Sequence, residues 1–535
     1  MYRKIKVAII GSGASGLVAI KTCLDEGINP VCFEMQDEIG GMWNYVPDKY
    51  EAGMVYKSTV INTSKEMMCF SDFPIPNNFP NYMHNTKVQE YFRMYEEKFQ
   101  LRQHIQFHTK VLSCTKADGF AKNGQWKVHT KNVKTGDEKS EYYDGIMVCV
   151  GHHAIPHYPL HDFPGIEKFK GKYMHSHDYR DHKGYEDLRV VIIGIGNSGG
   201  DIAVELSRHS KQVFLSTRRG AWIIKRIFEN GMPLDIIMTK KVNGDIRKIL
   251  PQSVLDSLAR KTVDSRLDHE KYGLMPKHEV FAQHPSVNDD IANRIITGSV
   301  QVRSNVARFT EDSAVFDDGT EEKIDAVIFA TGYSMAYPFL DDSVLKVEEN
   351  QCDLYEYIFP VTLEKNTLAI IGGIQPLGAV NPISELQCRW ATKVIKGEVM
   401  LPSKEEMKRD IHEKREEMAK RYVKSRRHTV QVNYQEYMDE LAEKISCKPK
   451  YYKYFLTDPK LAMKVYFGPA VPYIYRLEGP GKWPDAKKTI MTVQERVICP
   501  LMTRKTEPIK KSRSLGGVIL SALFVVFVAW ILGVI

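Results

Sequence analysis

Hydrophobic and polar positions divide this chain into short apolar runs that end on glycine, separated by stretches of helical period. Val7-Ala8-Ile9-Ile10 runs straight into Gly11-Ser12-Gly13-Ala14-Ser15-Gly16 and an amphipathic helix, and a second apolar strand, Pro30 to Phe33, ends on Glu34. From Arg189 the pattern repeats: an apolar strand, then Gly194, Gly196 and Gly199 at the spacing of Gly11, Gly13 and Gly16, then a strand from Gln212 to Ser216. Helical periodicity returns at Lys87 to Phe99 and between Leu234 and His284. Strand-like runs lie at Ile105–Phe107, Gln125–Thr130, Val300–Val302, Ala314–Phe316 and Leu368–Gly373. Two further buried strands close on glycine in the same way, at Gly151 and at Thr331-Gly332. Those two endings bracket the second repeat. The pattern therefore predicts an α/β chain with two Rossmann-type dinucleotide-binding domains, the second inserted into the first. The expected spans are 1–155 and 332–445 for the first domain, 156–331 for the insertion, 446–510 for a membrane-proximal region and linker, and 511–535 for a transmembrane tail.

Each repeat carries its own chemistry. Gly11 permits a tight turn, Gly13 lets backbone approach a pyrophosphate, and Gly16 lets the helix pack on the strand. The helix N-terminus offers N–H groups and a positive dipole end to phosphate. Glu34 stands where a carboxylate accepts from ribose hydroxyls and repels a 2′-phosphate, which suits the adenosine half of FAD. Gly40, Gly41 and Trp43 follow in a loop able to pass close to a large cofactor. In the second repeat Thr217 falls where Glu34 fell, with Arg218 and Arg219 beside it. Guanidinium groups pair bidentately with phosphate, so this site is expected to take NADPH.

Composition narrows the class. The chain has 535 residues, 43% hydrophobic and 26% charged, with a net charge of +8. No dense basic face with interleaved aromatics is present, which argues against nucleic acid as partner. Nine cysteines form no CxxC pair. That disfavours a zinc site or a redox dithiol and predicts reduced thiols; no metal is expected. Leu515 to Ile535 is an uncharged run behind Lys510-Lys511-Ser512-Arg513. About 20 residues at about 1.5 Å each reach across a bilayer, so a C-terminal tail anchor with cytosolic catalytic domains is expected. The aromatic-rich residues 451–480 would either lie against that membrane or pack on the FAD domain. Ser403 to Arg427 reads as a solvated amphipathic helix.

These motifs together resemble the flavin-containing monooxygenases. The most specific part is Phe169-Lys170-Gly171-Lys172-Tyr173-Met174-His175-Ser176-His177-Asp178-Tyr179, similar to the family signature FxGxxxHxxx[W/Y], in which Phe169, Gly171, His175 and Tyr179 match. The run Phe329 to Tyr333 and Asn62-Thr63-Ser64-Lys65-Glu66-Met67 add to it. Pro276-Lys277-His278 with Gln283-His284-Pro285 and Asn288-Asp289-Asp290 is similar to the isoform-5 branch. The resemblance implies FAD and NADPH as cofactors and an endoplasmic-reticulum membrane location. Hydride would pass from NADPH to flavin N5 and dioxygen would add at C4a. The resulting hydroperoxide would oxygenate soft nitrogen or sulfur nucleophiles, with Baeyer–Villiger oxidation of ketones left open. It implies Asn62 and Thr63 beside the flavin, Asn197 and Ser198 in the second glycine loop on NADP+, His284 in the substrate region, and His175 coupling the two domains. Ser15, Thr331, Gly332 and Gln375 join the expected cofactor shell. Two other outcomes stay open, an NADPH oxidase that releases hydrogen peroxide and a membrane-tethered nucleotide sensor without turnover, as does assembly into a homo-oligomer.

Overall fold

The computed structural model describes residues 4–47, 53–153, 155–423, 425 and 429–504. Its frame comes from strands β1 (Lys6–Ile10), β2 (Asn29–Phe33), β3 (Ile105–Gln106), β4 (Gly145–Val148), β5 (Lys172–His175), β6 (Arg189–Ile193), β7 (Gln212–Ser216), β8 (Val300–Arg303), β9 (Ala326–Phe329) and β10 (Leu368–Ile370). These make two five-stranded parallel sheets. The first is ordered β10-β4-β1-β2-β3, the second β5-β9-β6-β7-β8. Parallel strands buried on both faces need continuous apolar runs, which Val7–Ile10 and Val190–Ile193 supply at 5% exposure or less. The chain leaves the first sheet after β4, builds the whole second sheet, and returns to add β10 beside β4. On its way out and back it forms a two-stranded antiparallel ribbon, Tyr333 opposite Pro156 and Ser334 opposite Ile155.

Helix α1 (Ala14–Asp25) follows β1 and helix α2 (Asn197–Leu206) follows β6, as right-handed crossovers require. Helix α3 (Val380–Ile395) covers the first sheet against α1 and is buried for most of its length. Helix α4 (Tyr434–Lys444) packs on α3, where the Gln387 amide donates to the Tyr437 hydroxyl at 3.0 Å. Of the two expectations for residues 451–480, packing holds for four tyrosines, while Tyr452 and Phe455 are exposed. Tyr451, Tyr454, Tyr473 and Tyr475 are buried in the core of the first sheet's domain. Lys404–Arg421 is a helix opened by a Ser403/Glu406 capping box, which satisfies two orphan N–H groups reciprocally. All nine cysteines are free.

One clause of the expected fold class is corrected. No described helix is long and apolar enough to cross a membrane. The tail at 511–535, on which the transmembrane helix was placed from hydropathy, lies outside the described residues. Among the described residues the fold class is thus mixed α/β with no membrane-spanning helix.

Candidate active site at the seam of two dinucleotide folds

Both glycine loops are closed by backbone, which is why side chains are excluded there. Gly11 has φ +95°, and an added Cβ would stand 3.0 Å from the Cys149 carbonyl oxygen; at Gly194, φ is +106° and the Ala330 carbonyl would be 2.6 Å away. A Cβ on Gly16 would fall 1.9 Å from the Gly11 oxygen, and one on Gly199 1.9 Å from the Gly194 oxygen. Gly13 is different: its Cβ would meet nothing closer than 3.6 Å, at Gly41. No protein atom crowds that position, which leaves room for a ligand to approach the backbone there. Helices α1 and α2 begin after Gly13 and Gly196 with no side-chain cap and no acid in the first turn. Their N–H groups are left for phosphate. This cradle fits a dinucleotide at each sheet.

Around the first loop, Glu34 is buried and already accepts from the Ser12 N–H and hydroxyl, both at 2.8 Å, and from the Gln36 N–H at 2.9 Å. It orders the glycine loop. Gly40 and Gly41 have positive φ, and the Gly40 N–H donates to the Ser12 carbonyl at 3.0 Å, so this pair seals the loop while Trp43 packs on the core. The Ser15 hydroxyl lies 3.0 Å from that of Ser384 on α3. Gln375 is tied down at both ends, its N–H to the Val430 carbonyl at 2.8 Å and its side-chain oxygen accepting from Gln431 at 2.7 Å.

Around the second loop, Asn197 is held by the Val287 N–H, which donates to its Oδ1 at 2.8 Å, and Ser198 is half-buried beside it. Thr217 accepts from the Gly220 N–H at 3.0 Å. Arg218 and Arg219 are exposed and make no ion pair among the described residues. His284 is half-buried, two residues before Ser286, whose hydroxyl donates to the Ile195 carbonyl at 2.5 Å.

The family signature runs along β5, the edge strand of the second sheet beside β9. Gly171 has no room for a side chain, because a Cβ would reach 2.4 Å from the Phe169 ring; that ring packs on Phe309. Thr331 donates to the His157 carbonyl at 2.5 Å, and the His157 N–H returns a bond to Gly332 at 2.9 Å. His175 is buried with its ring 5.5 Å from that of Tyr333, and its Nδ1 accepts from the His177 N–H at 3.0 Å. Burial pushes its pKa down to about 4, so the ring is neutral. Tyr179 stacks edge-on against Tyr56 at 5.9 Å.

The sequence reading missed the residues that join the halves. Tyr56 donates to Asp201 on α2 at 2.7 Å, and Ser58 to Glu205 at 2.6 Å. The Ser64 N–H donates to Asp235 at 2.6 Å. Arg226 is the centre of the seam. It donates to Asp289 from its N–H and Nη1 at 2.8 and 2.7 Å, to the Val60 and Ile61 carbonyls at 3.3 Å, and to Asn62 Oδ1 at 2.7 Å. Asp289 was quoted only as part of a resemblance; no local spacing marks Arg226.

A profile of the family described as Flavin-binding monooxygenase-like matches residues 4–535. The chain belongs to that family. Flavin-containing monooxygenase 5 of Rattus norvegicus is 53% identical over 99% of each chain, and flavin-containing monooxygenase 2 of Homo sapiens 48% identical over 93% of each. Among solved structures, an S-allyl-L-cysteine S-oxygenase from Allium sativum superposes with a TM-score of 0.64 at 24% identity. It spans 92% of this chain and 99% of its own. The protein is an NADPH-dependent flavin monooxygenase with FAD and NADPH as cofactors, acting on small molecules and dioxygen. The uncapped loop beside Glu34 fits FAD and the one beside Arg218 and Arg219 fits NADPH.

Proposed function

We propose that this monooxygenase oxygenates soft nucleophilic nitrogen or sulfur centres, with Asn62 as the residue that addresses the reacting oxygen. Bound FAD supplies the redox chemistry, taking hydride from NADPH and activating dioxygen. One observation carries the reading: the contact of Arg226 with Asn62 Oδ1. A guanidinium only donates, so this contact fixes the oxygen end of the amide and turns Nδ2–H outward as a donor. A neutral amide can then bond a developing negative charge without offering a strong acid. Asn197, fixed by Val287, would hold NADP+ in the facing loop, and the seam from Tyr56 to Arg226 would exclude water. The same reading keeps the domain divisions near 155 and 331, supported by the ribbon that pairs those two crossings. His284 is assigned to the substrate side by resemblance, and the endoplasmic-reticulum setting has the same support.

The test is stoichiometric. Purified protein receives NADPH, oxygen and, in parallel, a thioether, a tertiary amine or an aliphatic ketone, while NADPH, product and hydrogen peroxide are counted. Product close to NADPH consumed with thioether and amine supports the proposal. Ketone turnover alone would replace it with Baeyer–Villiger oxidation, and peroxide equal to NADPH with every substrate would make the protein an oxidase.

A further inference from the structure

The signature segment carries polar atoms that the protein itself does not satisfy. Nε and Nη2 of Arg180 and Nε2 of His175, His177 and His152 are buried atoms without a hydrogen-bond partner among the described residues. The histidines share one region: the His175 and His177 rings stand 5.5 and 6.2 Å from Tyr333, and Tyr333 is 5.1 Å from His153, which is 4.0 Å from His152; Tyr333 is also within electrostatic reach of Arg180. Native structures leave few such atoms, so a cluster marks a missing partner.

Arg180 is the costliest member. Its Nη1 donates to the His177 and Tyr179 carbonyls at 2.8 and 3.2 Å, but no carboxylate reaches it within ion-pair distance among the described residues. Asp178 is taken up by the His177 ring at 3.0 Å. Arg180 is half-buried as a residue, yet two of its nitrogens are shut off from water with no acceptor among the described residues, which is unfavourable for a charged group. Burial accordingly pushes the guanidinium pKa down.

Topology says what belongs there. Ligands of open parallel sheets lie outside the carboxyl ends of the strands. Across that edge of the second sheet, β7 ends at Thr217 to Arg219, β6 at the phosphate loop, β9 at Ala330 and β5 at His175. A dinucleotide with its 2′-phosphate over β7 and its pyrophosphate on the β6 loop extends its nicotinamide half over β9 and β5. Arg180 follows β5 on that side. Its own carbonyl accepts from the Lys57 N–H at 2.8 Å, in the stretch that reaches α2 through Tyr56.

We propose that Arg180 binds the nicotinamide half of NADP(H), donating Nε–H and Nη2–H to its phosphate and ribose acceptors, apart from the 2′-phosphate contact assigned to Arg218 and Arg219. Its charge stays unpaired until the dinucleotide arrives, which trades stability of the NADP-free protein for affinity.

The test compares Arg180→Met and Arg180→Lys with the parent, as FAD-loaded protein, by direct titration with NADP+, NAD+ and adenosine 2′,5′-bisphosphate, which lacks the nicotinamide half. Loss of two charge-assisted bonds should weaken NADP+ and NAD+ by the same factor, on the order of 10- to 100-fold in Arg180→Met. Adenosine 2′,5′-bisphosphate should bind within about twofold of the parent, on the same scale. Arg180→Lys should fall between. The melting temperature without NADP+ should not drop in Arg180→Met, because an unpaired charge has gone, while the rise on adding NADP+ should shrink. Unchanged NADP+ affinity would overturn the proposal, and so would an equal loss for adenosine 2′,5′-bisphosphate. If Arg180→Met does not fold, Arg180→Lys decides by the same ligand series.

Discussion

Asn62→Asp is the sharpest test of the donor that the seam presents. The exchange keeps size and shape, and the new carboxylate would still meet Arg226, now as an ion pair where Asn62 Oδ1 lies 2.7 Å from Nη2. The loop carbonyls of Val60 and Ile61 keep their contacts with the same guanidinium. What is lost is the pair of Nδ2–H donors, and what is gained is a negative charge. Removing one donor from a site of developing charge costs about 2.7–4 kcal/mol, or about 10²- to 10³-fold in rate. Product formed per NADPH should therefore collapse and peroxide take its place, while anaerobic flavin reduction by NADPH stays within about threefold, because hydride transfer does not use this donor. Arg226→Gln is the companion: it frees the amide to turn without adding charge, and should raise peroxide less. Product yield within about threefold of the parent in Asn62→Asp would refute the donor role. Equal losses in flavin reduction and oxygenation would instead mean that the loop, and not the donor, had been disturbed.

Three further outcomes follow from the geometry. Gly16→Ala and Gly199→Ala both force a Cβ to 1.9 Å from backbone oxygen. Overpacking of this kind costs about 1–3 kcal/mol; the first should lose FAD, seen in the flavin-to-protein absorbance ratio, while the second keeps FAD and loses NADP+ in a titration. Equal loss of FAD in both would contradict the assignment of the two loops. His152 and His175 are held near pKa 4 by burial, against 6.5 in the unfolded chain. Their neutral forms contribute stability that is full above pH 6.5 and lost as pH falls through 4, up to about 3 kcal/mol each, so the urea midpoint should drop between pH 6.5 and 4.5 and drop less in His175→Gln. Asp235 runs the other way, its pKa pushed up to about 6 by burial. Its contribution is full below pH 3.8 and gone above 6, at most about 3 kcal/mol, so Asp235→Asn should raise the melting temperature at pH 7.5 and leave it nearly unchanged at pH 4.

The two dinucleotide loops were legible because their physics is local. The clash between residue Gly16 and the Gly11 carbonyl spans five positions, and the parallel strands need apolar runs that any reading of the chain finds. Placement of the aromatics at 451–480 was left open, since buried tyrosines and interfacial tyrosines share one composition; only the hydroxyl bonds of Tyr473 to Glu66 and Tyr475 to Asp439 distinguish them. The stretch from Leu234 to His284 read as helical and without function. It does form helices at 234–238, 241–249 and 252–264, yet Asp235 from it holds the Ser64 N–H. Apolar length proposed a membrane span, and no described helix bears it out.

Sequence by itself determined the paired glycine loops, the strands that carry them, the acid that closes the first β-α-β unit and the arginines that close the second. Each depends on residues within a few tens of positions, where backbone geometry alone dictates the side chain. Tertiary structure decided which end of the Asn62 amide is free, because the guanidinium that fixes it arrives from 164 residues away. It also decided that Nε and Nη2 of Arg180 are closed off without an acceptor among the described residues. Both are facts of packing between two sheets, and hydrogen-bond partners chosen across such a distance leave no periodicity in the chain.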